Sequence, residues 1–287
     1  MFMDIVIDAL ADAVLDAAKL LPFLLAAYLL VEWLEHHSSE KMGRLLGRSR
    51  AAGPAAGALL GCIPQCGFSV LTANLYAGGL VSLGTLLAVF LSTSDEAILI
   101  LLAHPDSAGT ILRLIGCKIV IALIWGYLAD FALSLRGSRS HREPHDLCGS
   151  CGCGEHHGIL RPALNHTVKL FFFLIIFNFI LNVLLSLLGE EGLASLLLGG
   201  SWAQPLLTAA IGLIPNCAAS VLITELYLAG GIRFGSAVAG LCSGAGVGLA
   251  VLFRVDRNRK KCVQILLILY AIAAVSAMGL QMLGVLA

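Results

Sequence analysis

The chain has 287 residues, 59% of them hydrophobic and 13% charged, with a mean hydropathy of +0.92 and a formal net charge of zero. A soluble domain carries about 25% charged residues, so the composition excludes an ordinary soluble globule, and the absence of a basic excess argues against a nucleic-acid partner. Apolar runs long enough to cross a bilayer recur around Leu20–Val31, Ile111–Leu128, Leu170–Leu188 and Ile265–Leu286, which makes the lipid bilayer the first expected partner.

Residues 3–18 read as an amphipathic acidic helix at the membrane surface, with Asp4, Asp8, Asp12 and Asp16 on one stripe. They lack the basic start and the small-residue cleavage site of a signal peptide. Lys19–Trp33 continues into a first span, and Glu35–Arg50 is a basic polar loop. Ala51–Leu80 is apolar but broken at Ile63-Pro64-Gln65, and neither half approaches the ~20 residues a span needs. It reads as a helical hairpin that dips in and turns back. Val81–Ala103 is a span interrupted by Ser92-Thr93-Ser94-Asp95-Glu96; a turn at His104-Pro105-Asp106 and the span Gly109–Leu135 follow. Arg136–Pro162 is the one long polar segment. Beyond it come the span Val168–Leu188, an acidic loop at Glu190 and Glu191, and a second hairpin over Gln204–Gly231. The Gly-rich span Ser236–Phe253, the basic turn Arg254–Lys261 and the last span Cys262–Leu286 complete the chain. The expected organisation is a membrane repeat over 1–135, a loop over 136–163 and a second membrane repeat over 164–287.

The two halves match when the chain is shifted by 151 residues. Gly61, Ile63-Pro64, Cys66 and Ser69-Val70-Leu71 meet Gly212, Ile214-Pro215, Cys217 and Ser220-Val221-Leu222; Leu75-Tyr76, Gly79, Gly84 and Ser92 meet Leu226-Tyr227, Gly230, Gly235 and Ser243. Small apolar residues coincide easily in such a chain, but Pro, Cys, Ser and Tyr in one register indicate duplication. Basic loops mark the cytoplasmic side of a membrane. That places 35–50, 136–162 and 254–261 inside, and both termini outside. Counting crossings then turns the halves upside down relative to each other. The expected fold is an all-α polytopic membrane protein of two inverted-topology repeats, each with three full spans and a broken re-entrant helical hairpin, about ten helical segments in all, as in secondary transporters.

Irregular backbone at membrane depth survives only where protein buries it or it lines a wet cavity. Pro64 and Pro215 fit the first turn of each second half-helix. This puts Gln65, Cys66, Asn216 and Cys217 at helix N-termini, where an anion or a thiolate is favoured. Cys62 adds a third sulfur. The competing reading of these three Cys, less favoured, is as small buried hydrophobes beside a kink; Cys117, Cys242 and Cys262 are read only that way. Asp95 and Glu96 in mid-span are candidate cation or proton sites. Ser69 and Ser220, with Asn74 and its counterpart Glu225, complete the candidate substrate shell, although Glu225 reads equally as an interfacial residue. The nine Cys form no disulfide framework. His141, His145, Cys148, Cys151, Cys153, His156 and His157 make the central loop a metal-binding composition without the second well-spaced pair of a zinc finger. Metal capture is favoured for it over a passive linker.

Taken together, Gly61-Cys62-Ile63-Pro64-Gln65-Cys66-Gly67-Phe68-Ser69, Ile214-Pro215-Asn216-Cys217, Ser92-Thr93-Ser94-Asp95-Glu96 and the His/Cys loop resemble a bacterial family of ten-helix heavy-metal exporters, whose members are labelled arsenic efflux proteins or manganese transporters. The resemblance spans essentially the whole chain and implies an inner-membrane, multi-pass permease exporting a metal or metalloid ion. The expectation is a proton-coupled secondary exporter alternating about a midplane site between the hairpin tips. The alternatives are an anion or oxyanion permease using the helix N-termini and a membrane-embedded metal sensor. No nucleotide-binding motif and no nucleophile–base–acid set is present, so no enzyme is expected. No cofactor is required beyond the transported ion and a metal on the loop, and a homodimer is compatible with the sequence.

Overall fold

The computed structural model describes residues 10–15, 17, 18, 20–22, 25, 26, 29, 52–93, 97–103, 108–135, 160–188, 203–256 and 258–282. Among these the chain is helical throughout, with no strand. In chain order the helices are α1 (Ala52–Gly61), α2 (Gly67–Ala77), α3 (Leu83–Ser92), α4 (Ala97–Ala103), α5 (Ala108–Leu135), α6 (Leu160–Leu188), α7 (Gln204–Gly212), α8 (Cys217–Leu228), α9 (Phe234–Ser243), α10 (Val247–Val255) and α11 (Arg259–Met282). Among the described residues, three stretches are long and apolar enough to cross a membrane: Gly109–Leu135, Phe234–Val255 and Arg259–Met282. The chain is a polytopic membrane protein.

Burial separates the helices into a centre and a rim. The stretch Phe234–Val255 is almost wholly covered by other helices, while most of Gly109–Leu135 and Arg259–Met282 is open. Leu112, Val120, Ile124, Phe131 and Leu135 on α5, and Leu267 and Val275 on α11, are exposed apolar side chains at the length scale of a bilayer. The core draws on α3, α9, α10 and α11 above all, with Leu86, Leu87, Phe90, Val238, Leu241, Val251 and Leu269 among its residues.

Contacts between elements follow the duplicated register. Helix α3 packs on α5 as α9 packs on α11, α2 packs on α3 as α8 on α9, and α4 packs on α5 as α10 on α11. Across the halves, α2 packs on α10 and α8 on α4, while α3 packs on α9. The turns agree as well. Helix α2 ends in a Schellman turn, with Gly79 at φ 74° and Leu80 N–H donating to Leu75 O at 2.8 Å; α8 ends the same way, with Gly230 at φ 73° and Gly231 N–H donating to Leu226 O at 2.8 Å. Only glycine adopts this left-handed conformation without steric penalty.

Small residues let the helices approach closely, as they do in membrane interiors where lipid is as apolar as Leu. Gly53, Gly57 and Gly61 on one face of α1 meet Thr85, Val89 and Ser92 of α3. In the second half only the last glycine is kept, and Gln204, Thr208 and Gly212 take these places against α9. Gln204 uses its amide instead: its Oε1 accepts from Ser236 Oγ at 2.9 Å. The start of α3 is held by Asp130 of α5, which accepts from Ser82 Oγ at 2.7 Å and Gly84 N–H at 2.8 Å. Its register partner Gln281 reaches Ser236 Oγ at 3.3 Å.

The Gly-rich segment expected as one span over 236–253 is two half-helices. Helix α9 stops at Ser243, and Ala245 N–H donates to Ser243 O at 2.8 Å around Gly244 (φ −72°, ψ 74°), an inverse γ-turn. Gly246 then sits at φ 54°, ψ −147°, a region open essentially to glycine alone, before α10 starts. In the first half, α3 ends at the register-equivalent Ser92, with Thr93 as its C-cap (φ −56°, ψ 127°).

A Cβ at Gly212 would lie 2.0 Å from Gly240 O and 2.3 Å from Ser243 Oγ. Gly212→Ala is expected to destabilise the protein by about 1–3 kcal/mol through overpacking, read as a lower thermal midpoint in detergent. Gly116→Ala, whose Cβ meets nothing within 4 Å, is the silent control. Equal midpoints for the two variants would remove the close α7–α9 approach from this account.

Candidate functional site

Each hairpin turns around its proline. Gln65 N–H donates to Ile63 O and Asn216 N–H to Ile214 O, both at 2.7 Å. These are three-residue γ-turns, for which the fixed φ of proline is suited. The prolines are therefore not in the first turn of the second half-helices, as the sequence reading had them. Cys66 is the N-cap of α2 and Asn216 that of α8, so Pro64 and Pro215 both lie outside the helices. The physical reason is that the turn needs a locked φ between the two amide groups it bridges, and proline serves it there with no donor lost.

The two tips finish differently. Asn216 Oδ1 accepts from Ala218 N–H at 3.0 Å, capping α8, while its Nδ2 donates to Asn182 Oδ1 of α6 at 2.5 Å. Cys66 makes no side-chain cap. Cys62 Sγ donates to Ala58 O at 3.1 Å, and Ser69 Oγ donates to Cys66 O at 2.7 Å. Gln65, Cys66 and Cys217 are half-buried.

Both hairpins reach the break in the second half. A Cβ on Gly248 would sit 2.7 Å from Ser69 Oγ, and one on Gly244 would sit 3.5 Å from Ser220 Oγ. The two serines are register partners, and both are buried. Beside this break runs Lys118 of α5, fully buried. Its ammonium donates to the carbonyl of Leu241 in the last turn of α9 at 2.7 Å, and to the carbonyl of Thr93, the C-cap of α3.

The other expected residues are dispersed. Asn74 is buried with its amide donated to Val70 O at 2.9 Å, within its own helix. Its counterpart Glu225 is exposed on α8. Among the described residues no three His, Cys, Asp or Glu side chains lie close enough to hold a metal ion. Asp95 and Glu96 lie outside the described residues, as do His141, His145, Cys148, Cys151, Cys153, His156 and His157. The sequence reading missed Lys118, Asn182 and the Gly244–Gly246 break. Lys118 was open to detection, since an ionisable side chain inside an apolar run is a functional candidate by default.

Residues 1–190 match the model of a protein family described as "Putative, 10TM heavy-metal exporter". No curated protein and no solved structure matches the chain.

The Asn216–Asn182 amide pair anchors the second tip. Asn216→Ala is expected to lower stability by about 1–2 kcal/mol, combining a lost cap and a lost hydrogen bond, and Asn182→Ala by less. Thermal midpoints of the single and double variants form the check. Additive effects would mean that the pair does not couple tip to helix.

Proposed function

The chain belongs to the 10TM heavy-metal exporter family, and on that premise we propose that it is a secondary active transporter that exports a metal or metalloid ion in exchange for protons. Manganese and arsenite are the leading substrates. The two halves, inverted in the membrane, would rock about a site between the hairpin tips, with the central loop in the cytoplasm and both termini outside the inner membrane.

One observation supports the reading above the others. Two helices stop inside the bundle, and hairpins from both halves bring Ser220 against Gly244 and Ser69 against Gly248, on the two sides of the Gly244–Gly246 break. Broken helices at a repeat interface are where transporters bind their substrates. Cys62, Cys66 and Cys217 are the soft ligands for arsenite. Asp95 and Glu96, with oxygen from Gln65, Ser69 and Ser220, would be the hard ones for manganese. The His/Cys loop would capture metal ahead of translocation, and a homodimer is the proposed assembly. A second reading, an oxyanion permease, draws on the ammonium of Lys118 within the crossing.

Flux into proteoliposomes across manganese, zinc, arsenite and oxyanions tests the class, and the absence of flux with every one of them would end the exporter reading. On the thiol version, Cys66→Ser combined with Cys217→Ser is expected to lower arsenite flux by about tenfold or more and to leave manganese flux near wild type. Asp95→Asn should do the reverse. Deleting residues 140–158 is expected to raise the half-saturating metal concentration without changing maximal flux; unchanged kinetics at low metal would reduce the loop to a linker.

A further inference from the structure

Lys118 is the one fully buried Lys or Arg side chain among the described residues, and the metal-exporter reading assigns it no ligand role. Its position is specific. The carbonyl of Thr93 closes the C-terminal end of α3, and that of Leu241 belongs to the last turn of α9. Each is a half-helix end, with carbonyls lacking an intrahelical donor and with the negative pole of the helix dipole. One ammonium thus serves the broken spans of both halves. Its register partner is Leu269, an apolar core residue, so the junction exists once and not twice.

Two further contacts connect this junction to the moving parts. The first hairpin rests on the same end of α3, where a Cβ on Gly61 would lie 2.0 Å from Ser92 Oγ. Two turns along α5 from Lys118, on the same face, Trp125 Nε1 donates to Ser276 Oγ of α11 at 3.0 Å. Trp125 and Ser276 are themselves register partners, so α5 makes both of these cross-half bonds.

We propose that Lys118 is a positioning residue for transport: its ammonium latches the interior ends of the two broken spans together in one access state and releases at least one carbonyl when the halves move apart. The proposal rests on the transport reading above. A cation bound at once to both halves holds them in register, and rocking one half against the other separates Thr93 from Leu241.

The first test uses the wild-type chain in proteoliposomes. A membrane-permeant amine-acetylating reagent is applied without ion, then with manganese alone or arsenite alone, and the Lys118 peptide is quantified by mass spectrometry. Protection at rest and a rise of about fivefold or more with the ion that the flux panel shows to be carried is the expected result. A lysine with a purely structural role would stay protected, and no rise during demonstrated flux overturns the latch. The second test needs no ion. Lys118→Met is expected to speed thiol labelling of the Cys62/Cys66 peptide by about fivefold, with Lys118→Arg, which keeps the charge and donors, near wild type. A Met variant with wild-type labelling and wild-type flux overturns the proposal. Should the wild type carry no ion at all, the transport reading fails, while the labelling comparison still decides whether Lys118 holds the two ends.

Discussion

Two helices stop inside this bundle, and each carbonyl they leave open must find a donor within the protein. Lipid offers none, and an unsatisfied polar group in hydrocarbon costs several kcal/mol. The terminal hydroxyls do not fill this need: Thr93 Oγ1 turns back to Val89 O at 2.7 Å and Ser243 Oγ to Gly240 O at 2.9 Å, carbonyls that already accept the N–H of Thr93 and of Gly244. Lys118 then supplies what the hydroxyls do not, taking one carbonyl from each broken span. The hydroxyls of Ser92, Thr93 and Ser243 thereby satisfy their own donors inside the bundle, and the open carbonyls are left to Lys118.

The same constraint accounts for the glycines. A broken span is short, and it must be sealed by neighbours that come close enough to exclude lipid. Gly61 and Gly212 let the first arm of each hairpin lie directly against the end of a half-helix, and Gly248 lets the first tip lie against α10. Dispersion between closely packed backbones replaces the hydrophobic drive that lipid removes.

The halves agree in what shapes the chain and differ in what gives it chemistry. Prolyl γ-turns, Schellman turns and interior breaks recur in register. The residues around them diverge: Gln65 against Asn216, Asn74 against Glu225, Asp130 against Gln281, Lys118 against Leu269. Duplicated geometry tolerates such divergence because turns are set by Pro and Gly, while the side chains facing the junction are free to specialise. The result is a symmetric scaffold around an asymmetric centre.

By itself the sequence determined the membrane class, the family, the position of both hairpins and the 151-residue register, because length, apolarity, Pro and Gly act locally and leave a direct trace in the chain. It marked Cys66 and Asn216 as helix-start residues for the same reason. Where the prolines sit relative to those helices depended on a hydrogen bond two residues long, and the composition around them suits either placement. Only the tertiary structure decided that the Gly-rich span is broken, since Gly244 and Gly246 are compatible with a continuous helix until other helices seal the gap. It also decided that Ser69 and Ser220 flank one break, that Asn182 holds the second tip, and that Lys118 joins the carbonyl of Thr93, 25 positions before it, to that of Leu241, 123 positions after it. Such contacts are long-range pairings between residues with no local pattern in common, and burial rather than sequence spacing selects them.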